Sequence, residues 1–107
     1  MRKIIIAKVA KKDFSQIKSY VVGKFGAIHW NKIVAEWQEL TNTLAINPEI
    51  GTQIEELEGT GYNNFKKFHH KNVFVVYSFT ATELNIHMFI PSMRDFKTHL
   101  MNRLMSM

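Results

Sequence analysis

The spacing of apolar residues changes in the middle of the chain, and this change limits the folds that the chain can form. Before Pro48, apolar side chains recur every three or four residues, which predicts two amphipathic helices, one ending near Gly26 and one over residues 27–44. After Pro48 the pattern is that of strands: VFVVYSFT at 73–80 is apolar on both faces, and residues 84–90 alternate in polarity. The chain therefore combines a helical hairpin with a sheet in which 73–80 is central.

Short sequence signals mark the remaining elements. Residues 3–9 are rich in β-branched side chains and predict a first strand. The D-x-x-Q pattern at 13–16 and the S-x-x-D pattern at 92–95 are typical of helix caps, so they predict the starts of the first and the last helix. Residues near 53–58 form a short strand or turn, and a strand at 64–70 completes the order β-α-α-β-β-β-α. This order predicts an α+β domain in which a helical hairpin packs on a mainly antiparallel, twisted sheet.

Length and composition restrict the classes of function. The 107 residues fit one domain, 1–107, and the absence of cysteine excludes a disulfide framework and a cysteine-ligated zinc site. The first apolar run is too short for a signal sequence or a membrane span, so we expect a cytoplasmic protein without a membrane partner. No nucleotide-binding or serine-hydrolase motif occurs, and no cofactor is expected. The net charge of +5 favours an anionic partner, nucleic acid or acidic protein, although a solvated surface of mixed charge explains it equally well.

The most basic part of the chain is NFKKFHHKNVF, residues 64–74. Two interpretations compete: a site that cuts or grips RNA, and the basic face of an ordinary strand. His69 and His70 are adjacent, so on a strand they point to opposite faces and cannot serve one site. One exposed and one half-buried histidine is therefore favoured over an acid/base pair. The spacing of the five histidines matches no zinc site, and no metal is expected.

Other residues also allow two interpretations. Trp30 and Trp37 share a helical stripe with aliphatic residues, which favours core packing over a surface binding stripe. His87 falls on the polar side of the last strand, where a surface position is expected. Methionines crowd the last strand and the C-terminal helix, and they either fill the core or line an apolar groove for a partner. These methionines are Met88, Met93, Met101, Met105 and Met107.

Four stretches of the sequence, in this order, resemble the RelE/ParE superfamily of bacterial toxin–antitoxin toxins. They are A-K-K-D-F-x-x-I after the first strand, N-P-E-I-G at 47–51, F-V-V-Y at 74–77 and I-P-S-M-R-D-F at 90–96. The resemblance extends over nearly the whole chain. The pair Arg94-Asp95 before the last helix is more similar to the ParE branch than to the RelE branch.

The resemblance implies one kind of partner but two different targets. RelE-type toxins are endoribonucleases that cut mRNA in the ribosomal A site, whereas ParE-type toxins share the fold, lack this activity and poison DNA gyrase. Both types are neutralised by an antitoxin whose disordered segment folds on the toxin. The resemblance therefore implies an acidic, partly disordered antitoxin as partner, with gyrase, or the ribosome and its mRNA, as target.

The site residues of RelE-type nucleases are only partly present in this sequence. Such enzymes place lysines on the strand before the central strand, one arginine at the start of the central strand and another after the last strand. Lys67, His69 and Arg94 resemble part of this set and would be the catalytic residues of a nuclease. Phe74 occupies the position of the central arginine, and an aromatic ring cannot clamp a phosphate as a guanidinium does. The C-terminal helix offers His99 but no tyrosine.

We therefore expect a ParE-like gyrase inhibitor without catalytic residues, rather than a RelE-like ribosome-dependent endoribonuclease. A small adaptor or an inactive toxin is a third alternative. The basic stretch and the start of the last helix are expected to bind the target or the antitoxin. The residues of this expected binding site are Lys66, Lys67, His69, Lys71, Arg94 and Lys97.

Overall fold

The computed structural model describes residues 1–106, which form three α-helices and five strands. The helices are α1 (Lys8–Phe25), α2 (Ala27–Ile46) and α3 (Phe96–Met105). The strands are β1 (Lys3–Ile6), β2 (Thr52–Gln53), β3 (Lys66–His70), β4 (Val73–Phe79) and β5 (Glu83–Pro91). This order confirms the predicted α+β class. Within residues 1–106, none of the helices combines the length and apolarity that crossing a bilayer requires.

The five strands form one sheet in the order β1-β5-β4-β3-β2, so β4 is the middle strand, as the sequence predicts. β1 lies parallel to β5, and all other neighbouring strands are antiparallel. α1 and α2 meet at Gly26, whose φ of 92° lies in the region that favours glycine. This residue ends α1 and allows α2 to run back along it, so the predicted hairpin is confirmed.

A different helical element covers each face of the sheet. Val75 and Tyr77 of β4 pack against the hairpin of α1 and α2, whereas Val76, which points the other way, packs against α3. All three are fully buried, which explains why β4 is apolar on both faces. We call the two sides the hairpin face and the α3 face. Trp30 and Trp37 of α2 are only 5% and 4% exposed, which confirms that they belong to the core.

The start of α1 differs from the prediction. β1 ends at Ile6 and α1 begins at Lys8, so Asp13, the first residue of the D-x-x-Q pattern, is an internal helix residue and not a cap. Its buried carboxylate accepts a hydrogen bond from the Phe89 amide at 3.1 Å and forms an ion pair with Arg103 of α3. The capping prediction is wrong because these partners lie far away in sequence, where no local pattern reveals them.

The start of α3 also differs from the prediction, by a few residues. α3 begins at Phe96, and its cap is Asp95, whose carboxylate accepts a hydrogen bond from the Thr98 amide at 3.2 Å. Ser92, the first residue of the S-x-x-D pattern, instead donates its amide to the Asn72 carbonyl at 2.9 Å. The pattern therefore indicated a helix start in the correct region but named the wrong capping residue.

One buried hydroxyl holds the N-P-E-I-G segment against β4. Tyr77 Oη donates a hydrogen bond to the Pro48 carbonyl at 2.6 Å, and burial raises the pKa of Tyr77 to about 12. Gly51 lies so close that a Cβ there would be 2.9 Å from the Lys67 carbonyl oxygen and would overlap the Tyr77 hydroxyl. N-P-E-I-G and the tyrosine of F-V-V-Y thus belong to one packing contact, which explains both stretches without a functional role.

Candidate functional site

Strand β3 divides the basic stretch between the two faces of the sheet. His69 lies opposite Phe74 of β4 and its ring stacks on that of Phe74, with 4.3 Å between the ring centroids. His70 points to the hairpin face, where its Nε2 is 3.0 Å from Oε1 of Glu36 on α2. His69 is exposed and His70 is half-buried, so the prediction that the two histidines point to opposite faces is confirmed.

On the α3 face, Lys67 and His69 form a cluster with two aromatic rings. The ammonium of Lys67 lies 4.7 Å from the ring centroid of Phe96 and 5.5 Å from that of Phe74. The two phenylalanines meet edge to face at 5.0 Å. Contacts between a cation and a ring contribute about 0.5–1 kcal/mol at such exposed sites, enough to orient the side chain. We call Lys67, His69, Phe74 and Phe96 the aromatic–basic cluster.

The other basic residues of β3 and its turn are neutralised within the chain. Lys66 lies 3.8 Å from Glu49, and His70 and Lys71 both contact Glu36 at 3.0 Å. The pKa of Glu36 is lowered, first by the hydrogen bond from His70 and then by that from Lys71. Surface ion pairs of this kind contribute little to stability, but they reduce the positive charge that Lys66 and Lys71 offer to a partner. The structure thus separates these two residues from the rest of the expected binding site.

Arg94 and Lys97 are close in sequence to Phe96 of the aromatic–basic cluster. Both side chains are exposed, and within residues 1–106 neither forms an ion pair or a side-chain hydrogen bond. Asp95, the acidic neighbour of Arg94, is occupied as the cap of α3. The simple pairing of Arg94 with Asp95 is therefore absent. Arg94 and Lys97 flank Phe96, which belongs to the cluster.

The prediction that His87 lies on the surface is wrong. Its ring is half-buried, stacks on Phe65 at 4.2 Å and has its Nε2 2.7 Å from Oγ of Ser78. His87 does lie on the face opposite Ile86, as alternation predicts, but Phe65 covers that position. A bulge adjoins it: Val76 pairs with Met88 but the next β4 residue, Tyr77, pairs with Ile86, so His87 has no partner in β4. The alternation of the strand gave no sign of this extra residue. Burial lowers the pKa of His87.

His99 lies on the buried side of α3. Its Nε2 is buried and has no hydrogen-bond partner within the described part of the chain. Burial lowers its pKa most, the positive charges of Arg103 and Arg94 lower it further, and Asp13 acts in the opposite direction. The sequence identified His99 only as a possible replacement for the tyrosine of nucleases. Its surroundings favour a neutral ring.

The geometry of the α3 face favours binding more than acid/base chemistry. Phe74, in the place where a nuclease would have an arginine, contacts both His69 and Lys67 with its ring. A phosphate held beside Lys67 would thus meet an aromatic ring on the central strand. Cations beside half-buried aromatic rings do fit a protein segment that carries acidic and apolar side chains.

The family of the chain follows from its sequence. Residues 4–90 match the family model of the ParE toxin of the type II toxin–antitoxin system parDE. The chain belongs to the ParE toxin family. It is a toxin of a type II toxin–antitoxin system and belongs to the ParE/RelE superfamily. Membership in such a system implies an antitoxin as partner. Comparison with curated proteins gives no match.

Solved structures show the same fold as this ParE-family chain. A chain of the chromosomal ParDE system from P. aeruginosa superposes with a TM-score of 0.66 at 14% identity, over 85% of this chain and 96% of that one. YafQ from E. coli strain BL21(DE3) gives 0.58 at 15% identity, over 90% and 99% of the two chains. The conserved hypothetical protein HP0894 from Helicobacter pylori gives 0.57 at 19%, over 90% and 100%. At these identities the likeness establishes the fold, and the target must be argued from the residues.

Proposed function

We propose that this ParE-family toxin acts in the cytoplasm by binding and poisoning DNA gyrase, and that it does not cut RNA. The observation that carries the proposal is the aromatic–basic cluster. Phe74 replaces the arginine that the nuclease branch places on the central strand, and its ring supports Lys67 and His69. The family match to ParE toxins supports the same branch.

The magnitude of the missing interaction argues against a nuclease. Cleavage of RNA without a metal builds negative charge on phosphorus, and this charge needs donors that converge from several strands. Removing a single such donor typically lowers the rate by about a hundred- to a thousand-fold. Lys67 and Arg94 would supply two of the donors, but Phe74 supplies none. The remaining set would bind a phosphate better than it would stabilise a transition state.

We propose that the antitoxin docks on the α3 face through an acidic segment that folds on binding. Lys67, Arg94 and Lys97 carry charges there that no carboxylate within residues 1–106 neutralises. The exposed methionine Met93, 77% exposed and adjacent to Arg94, offers an adaptable apolar contact. Charge and apolar contact together are sufficient for docking of a disordered segment, which needs no catalytic geometry.

The RelE-like endoribonuclease is the second candidate. Lys67 and His69 do lie on one face of the sheet, and the exposed guanidinium of Arg94 forms no ion pair within residues 1–106. In that case Lys67, His69 and Arg94 would be the catalytic residues. The buried Nε2 of His99, which has no hydrogen-bond partner within residues 1–106, would need to become accessible to take part.

Two assays on one preparation distinguish these functions. The purified toxin is added to a DNA gyrase supercoiling reaction and to a translation reaction in which cleavage of a ribosome-bound message is measured. We expect loss of supercoiling, or a trapped gyrase–DNA cleavage complex, with intact message. Message cleavage with unaffected gyrase would reverse the proposal and assign catalysis to Lys67, His69 and Arg94.

Growth measurements test the toxin assignment itself. Expression of the chain alone should slow bacterial growth, and co-expression of the acidic protein encoded next to it should restore growth. Normal growth at high expression of folded protein would indicate that the chain is an inactive member of its family.

A further inference from the structure

The tip of the helical hairpin exposes large apolar side chains. We define the hairpin tip as residues 18–32, the end of α1 and the start of α2. Tyr20 and Phe25 are 51% and 57% exposed, and Ile28 is 79% exposed. The helical period of α1 predicts Phe25 in the buried stripe, so its exposure departs from the expectation. The core of this chain does not cover these side chains, so they are available to another molecule.

The exposed side chains of the tip lie outside the hydrophobic core cluster of the hairpin face. The core cluster of the hairpin face takes Ile17 from α1 and Ile33 from α2, but no residue between them. Within the tip, Val21 and Trp30 are buried and Trp30 contacts Phe14 at 4.9 Å, so the two helices pack on each other there and leave Tyr20, Phe25 and Ile28 exposed. At 1.5 Å per residue, Phe25 lies about 18 Å along α1 from Asp13, which pairs with α3. The tip is thus a surface separate from the aromatic–basic cluster.

The tip carries only positive formal charge. Residues 14–35 contain no aspartate or glutamate but include Lys18, Lys24 and Lys32. None of these lysines forms an ion pair within residues 1–106. Lys24 Nζ donates a hydrogen bond to Tyr20 Oη at 3.2 Å and lies 5.7 Å from the ring centroid of Phe25. The positive charge and the exposed rings therefore form one continuous surface.

We propose that the hairpin tip is a second protein-docking surface, which binds an acidic segment that also carries apolar side chains. Such a segment would place carboxylates beside the lysines and apolar groups on Phe25 and Ile28. A second copy of this chain fits poorly, because it would bring two sets of lysines together. Single-stranded nucleic acid would use the lysines and rings but not Ile28, the most exposed of these side chains. The inference goes beyond the proposed function, because it holds for either target.

Peptide titration of the full-length chain tests this inference. The probe is a peptide of about a dozen residues in which glutamate and leucine alternate in pairs. The comparison probes are a lysine–leucine peptide, a glutamate–serine peptide and a single-stranded oligothymidylate of about the same length. We expect only the glutamate–leucine peptide to bind well and to shift the backbone amide resonances of Gly23 and Gly26, which lie within the tip.

Matched variants on the same two helices locate the binding. Lys24→Glu and Ile28→Ser alter the tip, whereas Lys12→Glu and Ile46→Ser make the same changes at the opposite ends of α1 and α2. All four positions are exposed, so the fold should be retained, which circular dichroism checks. Each tip variant should weaken peptide binding by about tenfold, a loss of one small set of contacts. Each control should stay within about twofold of the unmodified chain.

The other outcomes would overturn the inference. Binding of oligothymidylate in preference to the acidic peptide would make the tip a nucleic-acid surface. Peptide binding that shifts resonances of α3 and survives Lys24→Glu would place the docking site on the α3 face. No binding by any probe would leave the tip as an ordinary exposed hairpin end. None of these results depends on whether gyrase is the target.

Discussion

The two faces of the sheet differ in how they satisfy their polar groups. On the hairpin face, the Tyr77 hydroxyl bonds the Pro48 carbonyl, and His70 is paired with Glu36. On the α3 face, the Lys67 ammonium rests on aromatic rings and Arg94 has no ionic partner within residues 1–106. The hairpin face is therefore built mainly for stability, whereas the α3 face leaves charges for another molecule. Substitutions on the two faces should accordingly have different consequences.

The largest loss of stability is expected at the buried ion pair that joins α1 of the hairpin face to α3. Asp13→Ala removes the buried carboxylate that pairs with Arg103 and accepts from the Phe89 amide. Breaking one side of a buried ion pair costs about 3–5 kcal/mol, and the partial exposure of Arg103 favours the lower end. Urea denaturation should therefore show a loss of about 3 kcal/mol in the free energy of unfolding. Lys12→Ala, next to it but exposed, is the control, and a loss at Asp13 no larger than that of the control would contradict this account.

The next largest effect concerns the packing of N-P-E-I-G against β4. Gly51→Ala places a methyl group against the Lys67 carbonyl and the Tyr77 hydroxyl, and overpacking of this kind costs about 1–3 kcal/mol. Tyr77→Phe alone should also destabilise, because it leaves the Pro48 carbonyl without its donor. In the double variant, absence of the hydroxyl relieves part of the overlap. The double variant should therefore lose less stability than the sum of the losses in the two single variants. Full additivity in thermal unfolding would show that the two residues do not act through one contact.

Substitution of Arg94 should affect toxicity without affecting stability. Its side chain is exposed and unpaired within residues 1–106, so Arg94→Ala should change the free energy of unfolding by less than about 0.5 kcal/mol. Growth inhibition by the chain expressed alone should weaken if Arg94 binds the target. Lys12→Ala, which removes a positive charge from α1, controls for net charge. Full toxicity of Arg94→Ala, or loss of its folded state, would remove Arg94 from the target-binding surface.

The sequence was sufficient for the elements whose signal is local. The helical stripes, the apolar run of β4 and the break at Pro48 all predict elements that the structure contains. The errors arose at residues whose environment is set by a partner that is distant in sequence. Asp13 has the local pattern of a cap but pairs with Arg103, and His87 alternates as a surface residue but stacks on Phe65. No local pattern contains either partner.

The candidate site was predictable to a smaller extent than the fold. The sequence identified the replacement of an arginine by Phe74, and the structure adds that this ring contacts Lys67 and His69. The sequence did not indicate that Glu49 neutralises Lys66 or that Glu36 of α2 neutralises Lys71, because the partners in each pair are distant in sequence. Charge along the sequence therefore overstated the binding surface, since it counted lysines that the fold has already paired.

The smallest expected effect is a difference in acid sensitivity between the two faces. On the α3 face, burial lowers the pKa values of His87 and His99 below their ordinary value of 6.5. On the hairpin face, His70 and Lys71 lower the pKa of Glu36 below its ordinary value of 4.5. A group whose pKa is lower in the folded state stabilises the fold above its unfolded pKa and loses this contribution as the pH falls. The α3 face should therefore begin to lose stability near pH 6.5, and the hairpin face only near pH 4.5.

Two variants separate these windows. His99→Met places an apolar side chain at this position of α3 and removes a group that titrates beside Arg103, Arg94 and Asp13. The stability of this variant should therefore fall less as the pH drops below 6.5. Glu36→Gln should leave that window unchanged and reduce the loss below pH 4.5, by a small amount because the carboxylate is on the surface. The measurement is urea denaturation at a series of pH values. If His99→Met and the unmodified chain lose stability in parallel below pH 6.5, protonation of His99 is not what weakens the α3 face, and the buried, unpartnered Nε2 has no part in the acid response.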